Sequence, residues 1–212
     1  MTDGALLATG LVASYAAGSI PSAYLAGKAK GVDLRQRGSG NLGATNAWRV
    51  LGWRVGLAVY AVDTLKGFLP VLLLPRPAAH AELAGILYGV AAIVGHVRPA
   101  FLGFQKGGKG VATAGGVFLA LAPAQLLVAF AVFVAVFLAS GFVSLGSLCA
   151  AVTLPVALLV SQSGRLGPTT IIALLVAAFV FWTHRANIGR LRRGEESRFR
   201  VGRRAPTPGA PR

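Results

Sequence analysis

Residues 111–140 read VATAGGVFLALAPAQLLVAFAVFVAVFLAS and contain no charged side chain. A transmembrane helix needs about 17–25 mostly apolar residues, so this stretch is long enough for one long helix or two short ones. Pro123 interrupts it, and proline disrupts a helix because it lacks the backbone N–H. The stretch therefore predicts two membrane helices, Val111–Ala122 and Ala124–Ser140. One long kinked helix is the alternative, and it would reduce the number of membrane spans from seven to six.

Apolar segments of this kind occupy most of the chain. Of its 212 residues, 55% are hydrophobic and 13% are charged, whereas about 25% of the residues of a soluble domain are charged. This composition predicts an all-α integral membrane protein with seven transmembrane helices. Besides the two segments above, the predicted spans are Ala5–Ala26, Trp53–Leu74, Ala81–Gly95, Leu145–Val160 and Pro168–Thr183.

The basic residues are distributed unevenly between the two sides of the predicted bundle. With seven spans, all of the 21 lysines and arginines except Lys66, Arg76 and Arg165 fall on one side. The positive-inside rule assigns that side to the cytoplasm, which places the N-terminus outside and the C-terminus inside. Six spans would leave the arginine-rich tail outside. The net charge of +15 therefore favours membrane topology and an anionic substrate, and not nucleic acid, as its explanation.

The chain divides into one membrane domain and a tail. Residues 1–191 are predicted to form a single transmembrane domain. Residues 192–212 are basic and contain three prolines, so they are predicted to be a cytoplasmic tail, partly disordered, whose arginines face anionic lipid. The single cysteine lies in an apolar run and has no intrachain partner. Three scattered histidines argue against a zinc site, and no cofactor is predicted.

Two polar, glycine-rich loops lie on the predicted cytoplasmic side. Residues 38–46 read GSGNLGATN and are followed by Arg49, while residues 106–113 read KGGKGVAT and contain Lys109. Glycine permits close approach of the backbone to a ligand, and N–H groups at the start of a helix bind anions. Ordinary cytoplasmic turns are the alternative. Neither loop fits the Walker A pattern, so nucleotide hydrolysis is not supported. The residues predicted to bind phosphate or substrate are Gly38, Gly40, Asn41, Gly43, Thr45, Asn46, His96, Lys106, Gly107, Gly108, Gly110 and Ser144.

Two pairs of polar residues have helical spacing. Asp63 and Lys66 lie three residues apart inside an apolar segment, which indicates either a functional ion pair or a clamp between helices. His184 and Asn187 close the last span. Asn187 can donate to a developing oxyanion, and His184 can bind phosphate or accept a proton. Capping of a helix end at the membrane interface is the alternative for this second pair.

The motifs together resemble those of the bacterial acyl-phosphate:glycerol-3-phosphate acyltransferase family, PlsY. The matching stretches are GSIP at 18–21, DLR at 33–35, the loop at 38–46, DTLKG at 63–67, GH at 95–96, GGKGVAT at 107–113 and the segment from 184 to 195. The resemblance implies a seven-helix enzyme of the inner membrane with a cytoplasmic active site. It implies Ser39, Arg49, Lys109, His184, Asn187 and Glu195 as functional residues.

The implied reaction moves an acyl group from acyl phosphate to the 1-hydroxyl of glycerol 3-phosphate. The products are lysophosphatidic acid and phosphate, in the first step of phospholipid synthesis, and an enzyme that makes acyl phosphate is implied as a functional link. Two stretches depart from the family. Residues 141–145 read GFVSL where an Arg-Tyr pair commonly precedes the serine, and residues 104–107 read FQKG, one residue longer than usual.

A transporter or channel for a phosphorylated anion is the alternative function. Basic sites reaching the middle of the membrane would be its signature. The clustering of the polar motifs on one side favours the enzyme.

Overall fold

The computed structural model describes residues 2–199. Met1 and residues 200–212, which make up most of the predicted basic tail, lie outside the described residues. Within residues 2–199 the regular structure is entirely helical, which confirms the all-α class. The α-helices are α1 (Asp3–Gly18), α2 (Ser22–Ala29), α3 (Ala44–Leu51), α4 (Trp53–Leu73), α5 (Ala81–Val97), α6 (Val111–Leu121), α7 (Pro123–Ser140), α8 (Val143–Ser161), α9 (Pro168–Thr183) and α10 (Arg185–Arg192). Short 3₁₀ turns flank α5 at Ala78–His80 and Ala100–Leu102.

Several of these helices are long and apolar enough to cross a membrane. By length and composition, five segments of the described chain meet this requirement: Asp3–Ala29, Trp53–Leu73, Ala78–Leu102, Pro123–Ser140 and Val143–Ser161. The pair α9 and α10, bent by 59°, adds a sixth if it is counted as one span. Helix α6 has 11 residues, fewer than the roughly 17 that a span usually needs. The described residues thus give five or six spans by this criterion, where seven are predicted.

The stretch at residues 111–140 forms two helices. Ala122 has φ −151° and ψ 64°, so it leaves the helical region. Pro123 begins α7, where its missing N–H is not needed. Helix α6 packs chiefly against α4, and α7 packs chiefly against α8. The alternative of one long kinked helix is therefore wrong.

The first predicted span is also divided. The span predicted at Ala5–Ala26 lies within the candidate span Asp3–Ala29, but its helix is interrupted, because α1 ends at Gly18 and α2 begins at Ser22. Pro21 lies between them, and a proline disfavours helical geometry in the residue before it. Because the helix is interrupted here, the carbonyl oxygen of Ile20 is free of the helix and lies within hydrogen-bonding distance of the Lys66 side chain on α4.

Glycines allow the central helices to approach one another closely. A Cβ on Gly67 would lie 2.1 Å from the Thr113 carbonyl oxygen, and one on Gly116 would lie 1.9 Å from the Thr64 carbonyl oxygen. Small residues at helix contacts are typical of membrane bundles, where packing replaces the hydrophobic effect as the force between helices. The close contact of α4 with α6 holds the second glycine loop, which precedes α6, against the rest of the bundle.

Helix ends from distant parts of the sequence meet at one end of the bundle. There α5, α7 and α9 finish, and α6 and α8 begin. The hydrogen bonds that join these ends are Gly107 N–H to Val97 O, Phe199 N–H to Gly141 O, and Ser144 Oγ to Glu196 Oε1. At the opposite end, Thr169 bonds to Glu82 and Gln125 bonds to Ser161. Successive helices from α5 to α9 therefore run in alternating directions, and both glycine loops lie at the first end.

Candidate active site

Asn46 holds the first glycine loop in shape. Its side chain is buried, and its Oδ1 accepts the Ser39 N–H at 2.8 Å. Its Nδ2 donates to the carbonyls of Leu34 at 3.1 Å and Arg37 at 3.0 Å. Gly38 has φ +61°, and a Cβ there would lie 2.2 Å from Asn46 Oδ1. The loop itself thus uses both ends of the Asn46 amide, and binding of substrate by Asn46 stays a prediction.

The second glycine loop packs on the end of α5 and on the first loop. A Cβ on Gly107 would lie 2.1 Å from the His96 carbonyl oxygen, and one on Gly108 would lie 2.0 Å from His96 Nε2 and 2.9 Å from the Leu42 carbonyl oxygen. Gly110 has φ +83° and immediately precedes α6. These glycines thus bring the two loops into contact and place Lys109 at the start of α6.

A buried polar cluster supports this loop from inside the bundle. Asp63 Oδ1 lies 2.8 Å from Lys66 Nζ and accepts from Ser22 Oγ at 2.6 Å. Lys66 Nζ also donates to the Ile20 carbonyl at 2.9 Å. His96, which is buried, turns its Nδ1 toward the same carboxylate oxygen at 3.5 Å. His96 was predicted to bind phosphate, but the structure places it in this cluster, beneath the second loop.

Five side chains form a continuous hydrogen-bonded network at the end of the bundle where both glycine loops lie. Lys109 Nζ donates to Asn187 Oδ1. Asn187 Nδ2 and Ser144 Oγ both donate to Glu196 Oε1, at 2.6 Å and 2.7 Å. Arg190 Nε donates to Glu196 Oε2 at 2.6 Å. The network joins the loop before α6, the start of α8, helix α10 and the segment after it.

The chemistry of the partners fixes the orientation of the Asn187 amide. The ammonium of Lys109 has donors and no acceptor, so it must face Oδ1, while the carboxylate of Glu196 accepts and therefore faces Nδ2. An amide nitrogen carries two hydrogens, and Glu196 takes one of them. The second hydrogen is available to a ligand.

Burial and charge set the protonation of two members of the network. Burial lowers the pKa of Lys109 to about 8, against the opposing effect of the Glu196 carboxylate, and the charge of Arg190 lowers it further. For Glu196 burial raises the pKa, but hydrogen bonds from Asn187, Ser144 and Arg190 outweigh burial and bring it below its ordinary value. At neutral pH the network thus contains a carboxylate, and Lys109 is mostly protonated.

Arg49 is held by the segment that follows α10. We call residues 195–199 the C-terminal strap. Arg49 Nη2 donates to the Ser197 carbonyl at 3.1 Å, and its guanidinium carbon lies 5.8 Å from the centre of the Phe199 ring. The charge of Arg49 acts on Lys109, as does that of Arg190. Three cations, on α3, on α10 and before α6, therefore surround Glu196.

His184 lies in the break between α9 and α10. Its ring is buried, and Nδ1 lies 2.8 Å from the Val180 carbonyl oxygen. A carbonyl only accepts, so Nδ1 carries the proton and Nε2 of the neutral ring is an acceptor. Burial, and then the charge of Lys109, lower the pKa of His184 to about 4, so the ring is neutral and its Nε2 can accept a hydrogen bond from a hydroxyl.

The structure separates the two adjacent glutamates. Glu195, implied as functional by the family resemblance, pairs with Arg193 at 2.8 Å and has a side chain 56% exposed. Glu196 has a side chain 6% exposed and lies in the network. The structure therefore places Glu196, and not the predicted Glu195, in the network. Arg190 was missed as a site residue because it looked like one more positive charge of the tail, although its position three residues after Asn187 places both on one face of α10.

The other predicted substrate contacts lie on the loops. Ser39 and Lys106 are exposed, and Asn41, Gly43 and Thr45 are half-buried. Within residues 2–199 no side-chain hydrogen bond joins Ser39, Asn41, Thr45 or Lys106 to the network. The described part of the chain, residues 2–199, contains no group of three His, Cys, Asp or Glu side chains placed to hold a metal ion. The donors gathered here are those that bind an anion.

Known proteins resemble this chain over nearly its full length. The family model described as glycerol-3-phosphate acyltransferase matches residues 8–194. A glycerol-3-phosphate acyltransferase of Geobacter metallireducens is 51% identical over 193 residues, covering 90% of this chain and 96% of that protein. One from Geobacter sulfurreducens is 46% identical over 188 residues, covering 89% and 95%.

Crystal structures of PlsY (YgiH), an integral membrane glycerol 3-phosphate acyltransferase, have the same fold. Its glycerol 3-phosphate form superimposes with a TM-score of 0.85 at 39% identity, covering 92% of this chain and 96% of that one. Its lysophosphatidic acid form gives 0.82 at 38% identity, with the same coverage. The chain therefore belongs to the glycerol-3-phosphate acyltransferase family.

Proposed function

We propose that this protein transfers a fatty acyl group from acyl phosphate to the sn-1 hydroxyl of glycerol 3-phosphate, releasing lysophosphatidic acid and phosphate. The observation that carries the proposal is the convergence of Arg49, Lys109 and Arg190 on the end of a membrane bundle where two glycine loops meet. The names of the relatives and of the matching crystal structures support glycerol 3-phosphate as the acceptor.

The charge of the network suits a phosphate monoester. Arg49, Lys109 and Arg190 carry three positive charges, and Glu196 neutralises one of them. A phosphate monoester carries between one and a half and two negative charges, about −2 above its second pKa of ~6. Bound phosphate therefore balances the remaining positive charge. The planar guanidinium of Arg49 donates hydrogen bonds to two of the phosphate oxygens.

The proposed chemistry needs no cofactor, because an acyl phosphate is already activated. The acceptor hydroxyl attacks the acyl carbon, and the second Nδ2 hydrogen of Asn187 stabilises the oxyanion that develops, a contribution of about 3–4 kcal/mol for one well-placed donor. The C–O bond to the phosphate then breaks. The departing phosphate takes the hydroxyl proton, so direct attack by the acceptor hydroxyl needs no base from the protein. Direct attack is therefore favoured over an acyl-Ser39 intermediate.

The alternating directions of α5 to α9 support seven membrane crossings, with α6 as a short one. The distribution of basic residues supports a cytoplasmic site and an external N-terminus. Residues 1–191 then form one transmembrane domain in the bacterial inner membrane, and the acyl chain lies in lipid between the helices. An enzyme that makes acyl phosphate supplies the donor.

The test uses detergent-purified protein, palmitoyl phosphate and glycerol 3-phosphate, and it measures released phosphate. We expect release to depend on the acceptor and to fall at least about 100-fold in Lys109→Ala, because removal of a charged hydrogen-bond donor costs about 3 kcal/mol or more. Lys30→Ala, the same change at an exposed lysine that follows α2, is the matched control.

Two further measurements define the substrates. Replacing palmitoyl phosphate by palmitoyl-CoA tests the donor, and NMR of the product identifies the acylated hydroxyl. Folded wild-type protein that releases no phosphate in the presence of both substrates would contradict the proposed function, and uptake of glycerol 3-phosphate into liposomes would then test transport.

A further inference from the structure

The C-terminal strap crosses the open end of the site. Glu195 N–H donates to the Arg190 carbonyl at 2.8 Å, so the chain turns back immediately after α10, helped by Gly194 at φ +71°. Phe199 N–H donates to the Gly141 carbonyl at 2.7 Å. The strap therefore extends from α10 to the connection between α7 and α8. The matched family region ends at residue 194, so the strap lies beyond it.

Phe199 anchors the far end of the strap. Its ring contacts Trp48 edge to face, with the ring centres 5.2 Å apart, and Phe137 at 5.8 Å. Aromatic pairs at these distances stabilise a contact beyond the area they bury. The same ring faces the guanidinium of Arg49, and an aromatic face attracts a cation at this distance.

The strap contacts both halves of the cationic site. On one side Ser197 and Phe199 hold the side chain of Arg49. On the other side Glu196 holds Asn187, which in turn accepts from Lys109. The strap therefore links the side chain of Arg49 to that of Lys109, through Glu196 and Asn187. A shift of about 1 Å between two groups that bind one phosphate would be large.

We propose that Phe199 is a positioning residue, which anchors the strap so that Arg49 and Lys109 are spaced to bind one phosphate group. The inference rests on the proposed function for the identity of the ligand. Phe199 itself touches neither substrate. It acts through Arg49, so its loss weakens phosphate binding. Glu196 keeps its bonds to Ser144 and Arg190, so Asn187 stays in place.

The experiment measures kcat and KM for glycerol 3-phosphate, and the Kd for glycerol 3-phosphate by calorimetry, in purified full-length protein. We expect Phe199→Ala to raise KM and Kd about tenfold with kcat changed less than about threefold. Phe199→Trp, which keeps an aromatic ring, should stay near wild type. Phe199→Leu fills the slot without a ring, and we expect it to raise KM by an intermediate factor. Phe101→Ala, at a phenylalanine 64% exposed, is the matched control.

A double-mutant cycle separates positioning from general packing. In an Arg49→Ala protein, adding Phe199→Ala should not change KM further, because Phe199 acts through Arg49. Additive effects, or an unchanged KM in both Phe199→Ala and Phe199→Leu, would overturn the inference while wild-type turnover still supported the proposed function. Wild-type protein that neither binds glycerol 3-phosphate nor turns over would overturn both. If Phe199→Ala does not fold, the Leu and Trp variants decide.

Discussion

At the scale of single residues, the site depends on which of two neighbouring glutamates turns inward. Gly194 has a positive φ, which glycine adopts at little cost, and the chain reverses there. The reversal points Glu195 toward Arg193 and solvent and Glu196 into the network of Asn187 and Arg190. Two identical side chains thus have different roles because their backbone positions differ.

Replacing each glutamate by glutamine should show this difference. Glu196→Gln removes the charge that offsets Arg49, Arg190 and Lys109, so we expect kcat/KM for glycerol 3-phosphate to fall about tenfold or more, equivalent to ~1.4 kcal/mol. Glu195→Gln, the matched control, should stay within about twofold, because an exposed ion pair contributes little. Equal effects of the two changes, measured as phosphate release, would contradict the assignment of Glu196.

The protonation of Lys109 predicts a pH dependence of activity. Burial lowers its pKa to about 8, so the ammonium is present below that pH and is lost as the pH rises through it. We expect kcat/KM to fall about tenfold per pH unit above ~8, since this ratio reports the free enzyme. Lys109→Arg, which stays charged, should lower the overall rate and remove this decrease of kcat/KM above pH ~8. A decrease that persists in Lys109→Arg would show that another group titrates.

At the scale of elements, prolines and glycines decide how the helices are divided and packed. Pro21 and Pro123 each stand where one helix gives way to the next, as expected from the missing N–H and from the restriction of the preceding residue. Gly67 and Gly116 lie where α4 and α6 touch through their backbones. Helix α6 is short, so its contact with α4 holds the first residues of α6 in place. The same contact keeps Lys109, which precedes α6, near α10.

At the scale of the whole molecule, the alternating directions of the helices place both glycine loops and the segment after α10 at one end of the bundle. Asp63, Lys66 and His96 lie inside the bundle below those loops, where they pair with one another. Charged groups at such depth are costly unless paired. Their mutual contacts explain how the bundle tolerates them and fit a supporting role rather than direct binding of substrate.

The proposed topology predicts which loops are open to each side of the membrane. In a Cys149→Ser background, we expect an impermeant maleimide to label Arg165→Cys in intact spheroplasts. Lys30→Cys should react only after the membrane is permeabilised, because it lies on the side rich in basic residues. The reverse labelling pattern would invert the orientation, and labelling of both positions in intact cells would contradict the seven-span topology.

The sequence by itself determined the helical membrane fold, the two glycine loops and two of the four charged residues that meet at the site, Arg49 and Lys109, because these depend on local composition and spacing. Arg49, Lys109, His184 and Asn187 were all predicted from their motifs. The tertiary structure alone decided that Glu196 and not Glu195 faces Asn187, that Asn46 and His96 support the loops from within, and that the strap reaches Arg49. Those outcomes depend on contacts between residues as far apart as Arg49 and Ser197, and the packing of helices that determines such contacts leaves no periodic signal in the chain.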